Sequence, residues 1–135
     1  MKALNKAMII DDDALNNYIC SKIITYTGFA KNTIDFTHAD LALQHLIEII
    51  NENPDDLPEI IFLDIDMPGI DGWAFLKEYE KLDKTYKDRI YLSILTTSVF
   101  ESDRHKAEGF SDVDSYLCKP LSAEELTRIN YEIAG

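Results

Sequence analysis

The sequence predicts a doubly wound α/β fold, a parallel sheet with helices on both faces. Three observations carry this. Short apolar runs lack the alternation of a half-exposed strand, they alternate with longer segments at helical spacing, and several stop abruptly at polar residues. Strand and helix in regular alternation imply successive β-α units.

The strand candidates come in order. Residues 7–10, Ala-Met-Ile-Ile, end in three aspartates. Residues 33–36 form a weaker run. Residues 60–63, Ile-Ile-Phe-Leu, end in Asp64; residues 90–95 end in Thr96; residues 116–118 end in Lys119. Between them Leu15, Ile19, Ile23 and Tyr26 fall at helical spacing, with Asp13 placed as an N-cap and Gly28 to end the helix. Ala42, Leu46 and Ile49 make a second stripe, stopped before Pro54; Trp73, Leu76 and Tyr79 make a third. Residues 102–108 read as the poorest helix, with almost no apolar face. The last helix opens with a capping box, Ser122 and Glu125, and a staple, Leu121 with Leu126, and its stripe is Leu126, Ile129 and Ile133.

The chain of 135 residues suits one domain. Its 13 Lys and Arg against 25 Asp and Glu give a net charge of −12. Such a field repels nucleic acid and anionic lipid and favours basic or metal partners. No apolar run reaches the ~18 residues of a membrane span, and residues 1–6 do not read as a signal peptide. Cys20 and Cys118 lie in apolar surroundings and read as two reduced core thiols of a cytoplasmic protein. His38, His45 and His105 have no metal-like spacing and read as solvated surface, while Trp73 reads as core.

Ligands of open parallel sheets bind at the carboxyl ends of the strands. Those ends carry Asp11, Asp12 and Asp13, then Asp64, Thr96 and Lys119. Two carboxylates about 4 Å apart repel by roughly 4 kcal/mol at an effective dielectric of about 20. They need a cation or a shared proton. Oxygen ligands without His or Cys suit Mg²⁺, and a hydroxyl with an ammonium can hold the oxygens of a phosphoryl group. Taken singly, each feature also has a plain structural reading: Asp11 and Asp12 as helix caps, Asp64 before an ordinary turn, Tyr116 as core.

Four stretches together resemble the response regulator receiver domain: Ile9-Ile10-Asp11-Asp12-Asp13; Leu63-Asp64-Ile65-Asp66-Met67-Pro68-Gly69-Ile70-Asp71-Gly72; Leu95-Thr96-Thr97; and Ser115-Tyr116-Leu117-Cys118-Lys119-Pro120. The resemblance spans the chain and implies a single receiver domain over residues 1–135. It also implies a five-stranded flavodoxin-like sheet of order 2-1-3-4-5. By resemblance Asp64 accepts a phosphoryl group from a phosphohistidine. Asp12 and Asp64 are direct Mg²⁺ ligands, Asp11 acts through water, and the backbone carbonyl of Asp66 is a further ligand. Lys119 and Thr96 hold phosphoryl oxygens, Thr96 and Tyr116 form the switch, and the Lys119-Pro120 bond is cis. The implied protein is a two-component or phosphorelay switch without an output domain, and not an enzyme beyond self-dephosphorylation. Its partners are a sensor histidine kinase or histidine phosphotransfer protein and a downstream protein. The output face is expected on residues 102–108, the Tyr116 strand and the last helix.

A second reading is weighed. Asp64-Ile65-Asp66 resembles the Asp-x-Asp of haloacid-dehalogenase-type phosphatases, with Asp64 as nucleophile and Asp66 as general acid. Its position on the third strand and Pro68 count against it. A receiver that never takes phosphate ranks last, because every key position is filled.

Overall fold

The computed structural model describes residues 2–66 and 72–134. Five strands, β1 (Leu4–Ile10), β2 (Ala30–Phe36), β3 (Ile60–Leu63), β4 (Tyr91–Thr96) and β5 (Ser115–Cys118), form one sheet in the order β2-β1-β3-β4-β5. All four pairings are parallel. The helices are α1 (Ala14–Tyr26), α2 (Ala39–Glu52), α3 (Gly72–Tyr79), α4 (Lys84–Lys87), α5 (Glu101–Glu108) and α6 (Ala123–Ala134). The expected fold and strand order are those observed.

Side chains of successive strand residues point to opposite faces, and both faces are covered. Met8, Ile10, Ile61, Leu63, Leu92 and Ile94 pack with α2 and α3 residues such as Leu46, Ile49, Phe75 and Leu76. Ala7, Ile9, Ile60, Phe62, Leu95 and Leu117 pack the other way, with Cys20 and Ile24 of α1 and Leu126 and Ile129 of α6. Each fully buried aliphatic side chain contributes about 1.5–3 kcal/mol relative to exposure. Double coverage is why the strands read as unbroken apolar runs.

Register aligns the chemistry. Ile10 is opposite Leu63, Leu63 is opposite Ile94, and Thr96 is opposite Cys118. The residues that follow the strands therefore emerge at one edge of the sheet, next to one another.

The face of α1 corrects the sequence reading. Leu15, Ile19 and Tyr26, expected to form the buried stripe, are exposed at 66%, 52% and 92%, and only Ile23 of that set packs partly against the core. The buried face is Asn17, Cys20 and Ile24. Asn17 explains the rotation: its amide donates to the backbone oxygens of Asp11 at 3.0 Å and Phe36 at 3.5 Å, which turns a polar residue inward. Helical spacing marks an apolar face but not what it covers.

Other local expectations agree. Asp13 caps α1, accepting from the backbone N–H groups of Leu15 and Asn16. Gly28 follows α1 at φ +76°, where glycine is unstrained. Ser122 Oγ accepts the Glu125 N–H at 3.2 Å, and Leu121 and Leu126 are both buried. The short α4, capped by Asp83, and a 3₁₀ turn over Pro54–Asp56 were not expected. Of the cysteines, Cys20 is a core thiol but Cys118 is exposed, because it ends the edge strand β5. His45 is not solvated surface: its ring lies 5.3 Å from that of Phe36 and its Nε2 is buried. Trp73 is partly buried, stacked on Phe110 with the Lys106 ammonium over its ring.

Candidate functional site

Asp11 and Asp64 leave adjacent strands through matched backbone bonds. Asp11 N–H donates to the Phe36 carbonyl at 3.1 Å, and Asp64 N–H donates to the Ile10 carbonyl at 2.9 Å. Both carboxylates are nearly closed off, at 2% and 5% exposure, while Asp12 faces solvent. Ligand oxygens of Asp11, Asp12 and Asp64 lie within 4.8 Å of one another. Three hard carboxylate donors at that spacing, one of them open to solvent, fit a Mg²⁺ ion that keeps several waters.

Lys119 supplies the positive charge within the chain. Its ammonium donates to Asp11 Oδ2 at 2.6 Å and to Asp64 Oδ2 at 3.2 Å. Lys119 directly follows β5 and precedes a cis bond to Pro120, and its N–H donates to the Thr96 carbonyl at 2.8 Å. Burial opposes its charge, but the Asp11 and Asp64 carboxylates outweigh that and hold its pKa above the ordinary value. Burial raises Asp64, against the Asp66 N–H and Lys119, with Asp11 adding to the rise. Burial also raises Asp12, and Asp11 beside it adds further. The cluster therefore holds its negative charge under strain, as a cation or phosphoryl site would.

The Asp64 Oδ1 oxygen accepts the Asp66 N–H at 3.1 Å, and the Asp66 side chain is exposed. Gly72 explains how the chain returns so close: a Cβ there would lie 2.5 Å from the Asp64 carbonyl oxygen and 2.5 Å from the Ile65 Cα. Met67, Pro68, Gly69, Ile70 and Asp71 of the loop motif lie outside the described residues.

Thr96 is wholly buried at the end of β4, and its Oγ1 accepts the Ser98 N–H at 3.2 Å. Tyr116 is half-buried, with the Arg104 guanidinium 4.9 Å from its ring centre. Its hydroxyl is buried without a hydrogen-bond partner among the described residues. Burial raises its pKa, against the nearby Ser98 hydroxyl. A cavity of about 380 Å³ opens beside these residues, lined by Ile65, Asp66, Trp73, Thr97, Phe100 and Asp103 among others. The structure thus brings Asp11, Asp12, Asp64 and Lys119 together and sets Thr96 and Tyr116 on the neighbouring strands.

Sequence reasoning missed Asn16, whose amide donates to Asp11 Oδ2 at 2.7 Å. It missed Asn17 as well. Two adjacent asparagines early in a helix, where they cost helix propensity, were the available signal.

The model of the response regulator receiver domain matches residues 7–130. Hybrid signal transduction histidine kinase L of Dictyostelium discoideum is 28% identical over 95% of this chain but 7% of its own length. Sensor histidine kinase CheAY of Helicobacter pylori is 30% identical over 90% of this chain and 14% of its own length. This chain thus spans a small fraction of those two relatives, against 79% of the probable methanogenesis regulatory protein FilR2 of Methanothrix harundinacea, which is 26% identical. Among solved structures, a two-component response regulator of Cytophaga hutchinsonii superposes with a TM-score of 0.90 at 28% identity, covering 98% of both chains. A receiver protein of Dyadobacter fermentans gives 0.84 at 26%, covering 96% of this chain and 97% of that one. The phosphatase reading on Asp64 and Asp66 finds no support in these matches. With its sheet order, its acidic edge and a family match over nearly all its length, the chain belongs to the response regulator receiver family and is a phosphoacceptor signalling switch.

Proposed function

We propose that Asp64 is the phosphoacceptor and takes its phosphoryl group from a phosphohistidine on a sensor histidine kinase or a histidine phosphotransfer protein. The observation that carries this is the gathering of Asp11, Asp12, Asp64 and Lys119 at one sheet edge, with Thr96 on the next strand. An Asp64 carboxylate oxygen attacks phosphorus, the phosphorus–nitrogen bond breaks, and its electron pair leaves with the imidazole. Asp11, Asp12 and Asp64, with the Asp66 carbonyl, would hold Mg²⁺, which when bound offsets charge between the carboxylate and the incoming phosphoryl oxygens. Lys119 gives up its 3.2 Å bond to Asp64 and pairs with a phosphoryl oxygen. The Thr96 hydroxyl, whose oxygen accepts the Ser98 N–H, donates its own proton to another phosphoryl oxygen, and the buried, unpartnered Tyr116 hydroxyl moves with it.

The open side of the site lies at Asp12, beside the start of α1. The outward face of α1 exposes Leu15, Tyr18 and Ile19 and carries no acidic residue, in a chain of net charge −12. That face supports docking of the donor there. Cytoplasmic placement, a single domain over residues 1–135, and no activity beyond self-dephosphorylation belong to the same proposal. So do a downstream protein target and the absence of nucleic-acid or membrane binding.

The test is labelling with phosphoramidate in Mg²⁺. The expected result is one acid-labile phosphate on the unsubstituted chain and none on Asp64→Asn. Phosphate persisting on Asp64→Asn would move the acceptor elsewhere. Steady turnover of a phosphate monoester would restore the phosphatase reading.

A further inference from the structure

Two adjacent asparagines at the start of α1 grip Asp11 at opposite ends. Asn17, fully buried, donates to the Asp11 backbone carbonyl at 3.0 Å. Asn16 donates to the Asp11 carboxylate at Oδ2, 2.7 Å away. That same oxygen takes the Lys119 ammonium at 2.6 Å, while Oδ1 accepts the Asp13 N–H at 2.9 Å. Asn16 is steadied in turn by the buried Cys20, whose Sγ lies 3.6 Å from its amide nitrogen.

Lys119 is claimed by two anions and holds Asp11 more closely than Asp64. If the ammonium turns toward the Asp64 side, Asp11 Oδ2 loses its charged partner while nearly closed off from water. A buried carboxylate oxygen stripped of its donors is costly, so Lys119 would resist leaving. A second donor already on that oxygen removes the obstacle. We propose that Asn16 is a positioning residue that keeps Asp11 satisfied while Lys119 shifts to the Asp64 side, an inference that rests on the metal and phosphoacceptor reading above. The chemistry of the amide suits the task. It fills the oxygen without adding positive charge. Three carboxylates against one ammonium leave a net of two negative charges, matched to a divalent cation. A lysine or arginine at this position would cancel part of that.

Without Asn16 the ammonium becomes the one side-chain donor left on Asp11 Oδ2 among the described residues, and a cation held more firmly in the site opposes a second cation. The effect of Asn16 must therefore pass through Lys119. Calorimetric titration with Mg²⁺ in a double-mutant cycle reads this without any phosphorylation. Asn16→Ala is expected to weaken Mg²⁺ binding by about tenfold when Lys119 is present. In the Lys119→Ala background the same substitution is expected to change it by less than about twofold. Asn16→Leu, with the same side-chain branching and a better helix former, should behave as Asn16→Ala does and guards against a folding defect. Labelling by phosphoramidate at saturating Mg²⁺ should show a lowered maximal rate with unchanged half-saturation by the donor. Equal weakening in both backgrounds would reduce Asn16 to a plain scaffold for Asp11 and overturn the proposal, as would unchanged affinity in both. Failure of the unsubstituted chain to bind Mg²⁺ would remove the metal reading and this inference with it. Mg²⁺ binding that follows the cycle without any labelling of Asp64 would leave Asn16 standing and sink the phosphoacceptor assignment.

Discussion

Lys119 closes on Asp11 at 2.6 Å and on Asp64 at the longer 3.2 Å, one ammonium serving two buried carboxylates. With Asp12 beside them, three clustered carboxylates face this one ammonium, so the side chains alone leave the site short of positive charge, with measurable consequences.

Stability of the metal-free chain should fall as pH rises from the acid side. The Asp64 pKa is raised above its ordinary 3.8, chiefly by burial. The folded state then holds that proton more tightly than the unfolded chain. The stabilisation is fully present below pH 3.8 and is lost as pH rises through the raised value. Asp64→Asn should flatten this slope and stabilise the metal-free protein at pH 7 by about 1 kcal/mol. Urea unfolding across pH, with a chelator present, measures both. A parent and variant of equal slope would contradict the assignment of strain to Asp64.

Asp12 and Asp13 are neighbours with different tasks. Asp12→Ala removes one of three clustered carboxylates and should weaken Mg²⁺ binding strongly. Asp13→Ala removes the α1 cap and should cost about 1 kcal/mol of stability with little change in metal affinity. Calorimetry and urea unfolding separate the two. Equal Mg²⁺ affinities would undo the ligand assignment.

Thr96→Ala should still accept phosphate but lose most of its effect on the rest of the domain. Substitution by alanine keeps the Thr96 carbonyl that accepts the Lys119 N–H and removes only the hydroxyl, which accepts the Ser98 N–H. A phosphoryl group can shift the population of states only through such differential contacts. Hydrogen exchange with beryllofluoride as phosphoryl mimic should show the largest protection change over residues 98–110 and around Tyr116. α5 buries only Ala107 among its residues, so it can move at low cost. The change should vanish in Thr96→Ala. A change confined to α1 would place the output face elsewhere.

Gly72→Ala should destabilise the protein by more than about 2 kcal/mol, because the added methyl would meet backbone atoms at 2.5 Å. Thermal unfolding checks this, and a loss under 1 kcal/mol would mean that the start of α3 yields easily.

The sequence by itself determined the strand runs, the parallel sheet they require, and the residues that leave its carboxyl edge. Those features are local: an apolar run buried on both faces has one composition, and the groups after it have one place to go. Strand order was legible through the receiver motif rather than through periodicity, and the same motif supplies the site roles proposed above. What only the tertiary structure decided was orientation. Leu15, Ile19 and Tyr26 keep helical spacing yet face outward, because the Asn17 amide is needed at the ends of β1 and β2. Asn16 became visible only when α1 was laid against Asp11, since its partner is a carboxylate five residues earlier and not a spacing pattern. Cys118 and His45 exchanged their expected surroundings for the same reason: exposure depends on which strand lies at the sheet edge and which ring lies across from a helix. Periodicity records that a helix has faces; the hydrogen bonds at the strand ends choose which face turns in.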